Sequence, residues 1–546
     1  MKKVKKSKKT FFFCPGLIIS LIILVFVGFF LKKQQNEAIH TDDGVGTEIG
    51  KTISLWPLNS QHSTGFQYSI SSSNQYATEA GVSILEAGGN AVDAAIAMSY
   101  TLAVAEPYAS GLGGGGCMLI YYPESEHVFF YNYASEAAKS GASSVMLVPG
   151  FVSGMESIRE DFSTLSYQEL LQPAIECCDG IVVDNILAGR IDSLSDDLGM
   201  KSVFYKNGDF LQEGDTLIQN ELKDTLQTLE KEGADSFYTG SLAQKIVRET
   251  PFTEEDLASY RTICDDPVVG NYCGYKVASA AAPYSGVTLL QMLRMSEMLN
   301  IPSPVSDNRL FLEQLEKISL SSHSDRLQNV YDLRFAKTEA DQEKQITAEY
   351  LGNLLNMDIS EFEDDEECED TTAFAITDQN GMIVACTNTI SSFFGCKKEV
   401  GGFYLNNSGM NFGSGVNAYK PGKRPRSHIA PTILISENEE IAVASPGGNV
   451  IIKTLFNILT DVCRFDTDPQ QAIEKKRLIF TGISRINYEV GYTTQSFAEV
   501  SGMGYRTTPK TSHTYFGNVA LAGYNDEDGY YAVSDPRRNG CGKSKN

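Results

Sequence analysis

Thr371 follows the ten-residue run Glu361-Phe-Glu-Asp-Asp-Glu-Glu-Cys-Glu-Asp370, in which eight residues are acidic. It opens the segment Thr371-Thr-Ala-Phe-Ala-Ile-Thr-Asp-Gln-Asn-Gly-Met-Ile-Val-Ala385, which reads as strand, turn, strand. A hydroxyl residue at such a junction has a chemistry open to it. Cutting the peptide bond before Thr371 frees an α-amine that acts as base to the same residue's hydroxyl, which makes an activated nucleophile. Thr387 and Thr389 lie on the second strand, across from Thr371, where a hydroxyl can orient it. Gly447-Gly448 falls where a strand turns into a helix, so backbone N–H groups and a positive helix end converge in a way suited to an oxyanion. Together these features point to acyl transfer. Each alone also fits a plainer structure: an exposed loop running into a hairpin, or a tight strand-to-helix turn.

The elements that must hold these residues follow from pattern. The acid-rich run repels itself and buries little, so it is expected to be a solvated, mobile strip. Asn380-Gly381 predicts a type I′ hairpin turn. Ala77–Ala87 and Ala91–Met98 have helical periodicity, with Gly88-Gly89 ending the first helix and Asn90 capping the second. Residues 150–300 read as mostly helical, with caps at Ser166 and Thr253, and residues 274–279 return to strand. Ile441–Ser445 is a strand that runs into the diglycine and a helix over 451–459. Strands interleaved with helices indicate a layered α/β protein.

Other chemistries find little support. Gly111-Leu-Gly-Gly-Gly-Gly116 matches G-x-G-x-x-G, but a helix precedes it and a strand follows, the reverse of a dinucleotide fingerprint. These glycines are better read as allowing backbone segments to approach closely beneath a site. His40, His62, His127, His323, His428 and His513 show no metal-ligand spacing. There is no G-x-S-x-G elbow and no complete phosphate-binding loop.

The 546 residues carry a net charge of −24, which argues against nucleic acid as a partner. Lys2, Lys3, Lys5, Lys6, Lys8 and Lys9 precede the uncharged stretch 11–31. That stretch can span a bilayer as a helix, and the lysines keep the tail cytoplasmic. The expected organisation is a tail (1–10), a signal anchor (11–31), a stalk (32–60) and an extracellular or lumenal remainder, making a single-pass type II membrane protein. Eleven cysteines suit an oxidising compartment, without spacing that suggests pairs. Asn406-Asn-Ser408 is the only glycosylation sequon.

A series of ordered motifs resembles the γ-glutamyltransferases, also called glutathione hydrolases, of the N-terminal-nucleophile superfamily. They are Gly88-Gly-Asn-Ala-Val-Asp-Ala-Ala95, Ser110-Gly-Leu-Gly-Gly-Gly-Gly116, Val148-Pro-Gly-Phe-Val-Ser-Gly154, Phe237-Tyr-Thr-Gly240, Glu255-Asp-Leu-Ala-Ser-Tyr260, Ser445-Pro-Gly-Gly448 and Ser534-Asp-Pro-Arg-Arg538. The resemblance implies an αββα four-layer sandwich and a precursor that cuts itself between Asp370 and Thr371. Large (61–370) and small (371–546) subunits would result. Thr371 would attack a γ-glutamyl donor resembling glutathione, and water, an amino acid or a peptide would resolve the acyl-enzyme, with no cofactor or metal. Thr389 matches the threonine that contacts the nucleophile, and Gly447 and Gly448 match the oxyanion glycines. Ser391 stands at the family's donor-binding asparagine, and Ser427 matches the first of two serines on the donor's α-carboxylate.

Several positions depart from the family. Ser135 replaces the arginine that clamps the donor's α-carboxylate. Asn411 replaces the aspartate that binds its α-amine, Ser408 replaces an acidic or amide residue, and His428 replaces the second serine. The nucleophile and oxyanion elements match, while the charged clamp does not. Arg424, Arg426, His428 and Lys139 are the nearby cations that could rebuild it. An amidohydrolase of the same fold with another donor, and a non-catalytic surface protein, are the alternative readings.

Overall fold

The structure, a computed structural model, describes residues 67–198, 202–336, 341–359, 371–492, 500 and 502–546. The predicted tail, anchor, stalk and acid-rich run 361–370 lie outside the described residues. Among those described, no helix is long and apolar enough to cross a membrane.

Side chains on the Thr372–Asp378 strand alternate, and the alternation sets the layers. Phe374 and Ile376 join one core with the helices Gln75–Glu86 and Ala91–Ala105, whereas Ala375 joins a second core shared with another sheet. The first sheet has seven antiparallel strands in the order Cys541–Lys545, Tyr68–Ser72, Thr372–Asp378, Ile383–Thr389, Gly115–Tyr122, His127–Asn132, Ile263–Asp265. Six antiparallel strands form the second: Gly529–Val533, Ala520–Asn525, Glu439–Ala444, Thr432–Ile435, Tyr275–Ser279, Val268–Tyr272. The helices Gly286–Met298, Asn308–Asn329 and Ile451–Phe465 cover its outer face through the second core. Helix, sheet, sheet, helix is the predicted layering.

Local signals act as expected at several joints. Asn90 and Asp93 form a reciprocal capping box, with Asp93 N–H donating to Asn90 Oδ1 at 2.9 Å, and Ser166 and Thr253 head capping boxes of their own. The helix begun at Ala91 extends to Ala105, beyond the expected Met98, because every side chain along it is buried. The hairpin turn differs from expectation. Gly381 has φ +78° while Asn380 stays in the ordinary region, so the turn is not type I′. The Asp378 carboxylate accepts the N–H groups of Asn380 (2.8 Å) and Met382 (3.1 Å), which draws the chain into a wider turn.

The nine described cysteines are all free thiols. The sequon is no glycan site in this fold: Asn406 is fully buried, and its amide donates to the carbonyls of Gly113 and Leu147 at 2.8 Å each.

Candidate active site

The hairpin register decides where the nucleophile stands. Thr372 pairs with Asn388 and Ala373 with Thr387, so one step further Thr371 comes opposite Thr389. Alternation then puts Thr371, Thr387 and Thr389 on the face of Ala375 and Ala385, toward the second sheet. Thr371 is only 2 % exposed. Thr372 points the other way and donates to Ser110 Oγ at 3.0 Å. Thr389 Oγ1 accepts the N–H of Ser391 at 2.8 Å. Thr387 Oγ1 is buried with no hydrogen-bond partner among the described residues.

The glycine run does what its order suggested. A Cβ on Gly113 would strike the Tyr404 carbonyl, on Gly114 the Thr389 carbonyl and on Gly116 the Thr387 carbonyl. On Gly115 it would meet Tyr133 O at 2.5 Å and Ser135 N at 2.6 Å. Only glycine lets these backbones close up under the hairpin. Ser135 is thereby held beside Gly115, the strand partner of Thr389, and its buried Oγ has no hydrogen-bond partner among the described residues. Asn406 pins the next segment to the same glycines, and its Oδ1 takes the Ser408 N–H at 3.1 Å. A short 3-10 turn from Ser408 to Asn411 follows, and Ser391 Oγ reaches Asn411 Oδ1 at 3.5 Å. Ser391 itself has φ +79°, a conformation a serine adopts at a cost and typical of functional loops.

Gly447 (φ +131°) and Gly448 (φ +59°) carry the chain from the Glu439–Ala444 strand into the Ile451–Phe465 helix. At Gly447 a Cβ would sit 2.9 Å from Val450 Cγ2 and 3.2 Å from Gly517 Cα. The pairing places this turn at the threonine end of the sandwich. Ser279 pairs with Thr432 and Thr432 with Val443, so the strands Tyr275–Ser279 and Glu439–Ala444 run parallel and finish at one edge. Just beyond that edge Tyr284 donates to Gly116 O at 2.5 Å, and Gly116 pairs with Asn388.

Ser427 closes the same edge. Its N–H donates to Pro283 O at 3.0 Å, its carbonyl accepts Ser285 Oγ at 2.6 Å, and its Oγ accepts the Ile429 N–H at 3.3 Å. His428 follows. Burial first, then the positive charges of Arg326, Lys453 and Arg426, pushes its imidazole far below the usual range, so it is neutral and supplies no cation. Arg424 is committed elsewhere: fully buried, it donates to Asn132 O and Oδ1 at 2.8 Å, Arg261 O at 2.7 Å and Glu136 Oε2 at 3.3 Å. Arg426 Nη1 serves carbonyls at the end of the Asn308–Asn329 helix, Leu327 O at 3.0 Å and Arg326 O at 3.2 Å. Lys139 is exposed.

The register, the two edges and the loop after Thr389 thus gather Thr371, Thr389, Gly447, Gly448, Ser135, Ser391, Ser408, Asn411, Ser427 and His428 at one end of the sandwich. Arg326, Lys453, Ser285 and Asn406 belong to the same neighbourhood and were not anticipated. Lys453, in the first turn after the diglycine, was the one whose position offered a signal. Among the described residues, no group of three or more His, Cys, Asp or Glu side chains is placed to hold a metal ion.

Residues 77–544 match the sequence profile of the gamma-glutamyltranspeptidase family. The capsule biosynthesis protein CapD proenzyme of Bacillus anthracis is 36 % identical over 552 residues, covering 100 % of both chains. The glutathione hydrolase proenzyme of Bacillus subtilis strain 168 is 30 % identical over 536 residues, covering 86 % of this chain and 90 % of that one. Among solved structures, a cephalosporin acylase from Bacillus halodurans superimposes with a TM-score of 0.79 at 21 % identity over 92 % of this chain and 100 % of that one, a likeness of fold.

Proposed function

The chain belongs to the gamma-glutamyltranspeptidase family, and we propose that it is a proenzyme that cuts itself before Thr371 and then transfers a γ-linked glutamyl group through an ester on Thr371. The freed α-amine takes the hydroxyl proton as Thr371 Oγ1 attacks the donor's amide carbonyl. N–H groups of Gly447 and Gly448 receive the developing oxyanion, and the proton passes to the leaving amine. Water or an acceptor amine then attacks the ester and releases Thr371. Thr389, opposite Thr371 across the hairpin and held by the Ser391 N–H, orients the nucleophile. The observation that carries this reading is the register that sets Thr371 against Thr389 at the edge where the diglycine turn emerges.

The pocket suggests which donor. Ser391, Ser408 and Asn411 offer hydroxyl and amide groups where the family places a carboxylate for a free α-ammonium. A neutral set favours a donor whose α-nitrogen is already in an amide, as in a γ-linked chain, because a buried ammonium needs a charged partner. An end-to-end relative named for capsule biosynthesis agrees with a polymer-borne donor. We place the catalytic part outside the cytoplasmic membrane, held by residues 11–31 as a type II anchor.

Expression of the full chain tests this directly. A fragment whose N-terminal residue is Thr371 is expected on a denaturing gel, and Thr371→Ala is expected to leave one uncut chain. Turnover is then measured with a γ-glutamyl anilide and its N-acylated form, with a dipeptide acceptor. The N-acylated donor is expected to be used at least as well as the free amine. An uncut wild-type chain, or cut protein that uses neither donor, rejects the reading.

A further inference from the structure

Cys273 precedes the cut expected before Thr371, and Cys463 follows it. Cys273 and Gly274 make the two-residue turn between the strands Val268–Tyr272 and Tyr275–Ser279, in which Tyr272 pairs with Tyr275. Both turn residues have positive φ, +46° and +89°, the type I′ geometry that asparagine-glycine serves best. A cysteine there carries a conformational cost, and such a cost points to a use for its side chain. The Cys273 N–H donates to Glu297 Oε1 at 2.8 Å, which fixes the turn to the helix Gly286–Met298.

Cys463 stands in the last turn of the helix Ile451–Phe465, and its neighbours meet the same turn. The Tyr272 hydroxyl reaches Thr460 Oγ1 at 3.5 Å, and Thr460 shares a helix face with Cys463 and Arg464. Arg464 donates from Nε to Ile301 O at 3.1 Å and from Nη2 to Asn300 Oδ1 at 2.7 Å. Cys273, Asn300, Ile301, Cys463 and Arg464 line one surface cavity of about 460 Å³. The two thiols also sense each other. Burial first, then the charge of Cys273, pushes Cys463 above its ordinary value. Burial and Glu297 raise Cys273 too, while Arg464, by charge and hydrogen bond, pulls the other way and favours its thiolate. Cys117 and Cys386 make the contrast: they lie on neighbouring strands but on opposite faces of their sheet, each in a different core.

We propose that Cys273 and Cys463 close a disulfide in an oxidising compartment, and that this bond ties the two polypeptides together once the chain is cut before Thr371. The tie rests on the cleavage reading above; the disulfide does not. The oxidant is another disulfide, small enough to enter the cavity or carried by a protein. The Cys273 thiolate attacks it, forms a mixed disulfide and releases one thiol. Cys463 then gives up its proton and attacks the Cys273 sulfur, and the second thiol leaves. Two cysteine thiols are oxidised and one disulfide is reduced to two thiols. The bond lies at the end of the second sheet away from Thr371, since the Tyr275–Ser279 strand finishes at the threonine edge and the Ile451–Phe465 helix starts there. It fastens the halves without touching the chemistry.

The test is peptide mapping of the purified full chain after incubation with hydroxyethyl disulfide, with remaining thiols alkylated before digestion. Wild type is expected to yield the Cys273 and Cys463 peptides joined, two hydrogens lighter than their sum, and to release both on reduction. On a denaturing gel without reductant, cut protein is expected to run as one band of precursor mass and to fall into two fragments when reductant is added. Cys463→Ser and Cys273→Ser are each expected to give the two fragments in either case. Alkylation of both cysteines in folded, oxidant-treated wild type, or pairing of either with a different cysteine, overturns the proposal. The two readings fail separately. A joined peptide pair from an uncut chain keeps the disulfide and rejects the cut; fragments that separate without reductant keep the cut and reject the disulfide.

Discussion

Two buried charged clusters in this fold are built on opposite plans. Near the C-terminus, Arg477 and Arg537 meet Asp535 and Glu489. Arg477 Nη2 lies 2.7 Å from Asp535 Oδ2, Arg537 Nη2 lies 2.7 Å from Glu489 Oε2, and Arg537 Nη1 lies 3.1 Å from Asp535 Oδ1. Asp535 also takes the Val519 N–H at 2.8 Å. Burial alone would raise both carboxyls, but the arginines outweigh it and hold them below the usual range. At the threonine end, burial first, then the nearby Arg326, Lys453 and Arg426, holds His323 and His428 neutral. The first cluster keeps its groups charged by pairing them, whereas the second keeps two titratable rings uncharged. The Ser534–Arg538 motif, read as a family landmark, belongs to the first kind.

Breaking the balanced cluster should have the larger effect. Asp535→Ala leaves two buried arginines short of a partner and is expected to cost about 3–5 kcal/mol of stability, measured by urea unfolding. A loss under about 1 kcal/mol would mean that the four groups are not coupled. Next comes pH. The unfolded chain protonates His323 and His428 below about 6.5, while the folded chain keeps them neutral. Stability is therefore expected to fall as pH drops from about 6.5, by up to about 1.4 kcal/mol per unit for each imidazole. Asp535 and Glu489 act lower: their stabilisation is present above their ordinary values of 3.8 and 4.5 and is lost as pH falls through their depressed folded values. His323→Leu should halve the slope between about pH 6.5 and 4.5; an unchanged slope would place the proton uptake elsewhere.

What was legible in the sequence was what neighbours in the chain decide. Caps at Asn90, Ser166 and Thr253, the strand led by Thr371 and the diglycine turn depend on residues within a few positions. The glycine run was legible for the same reason, since its reversed order ruled out a nucleotide loop and left close backbone approach. What escaped was set by distant partners. Arg424 had the charge and position of a clamp residue, yet Asn132, Glu136 and Arg261 claim it. Asn406 satisfied a glycan pattern, yet Gly113 and Leu147 bury it. The turn at Asn380-Gly381 was shifted by a carboxylate at Asp378 that the dipeptide rule ignores. Arg326 and Lys453 lie more than a hundred positions apart, on the helices Asn308–Asn329 and Ile451–Phe465, and it is the Gly286–Met298 helix, packed against both, that brings them to one region.

In the seven-stranded sheet, Tyr68–Ser72 lies between Cys541–Lys545 and Thr372–Asp378, and Gly115–Tyr122 lies against Ile383–Thr389. A break before Thr371 would therefore yield two polypeptides threaded through one hydrogen-bonded ladder, with Tyr68–Ser72 of one held between two strands of the other. Neither could leave without unzipping the sheet, and neither would have a complete hydrophobic interior alone. Such a pair behaves as one folding unit made of two molecules: it melts in a single transition, withstands dilution, and, once fully denatured and reduced, must find its other half before it can refold.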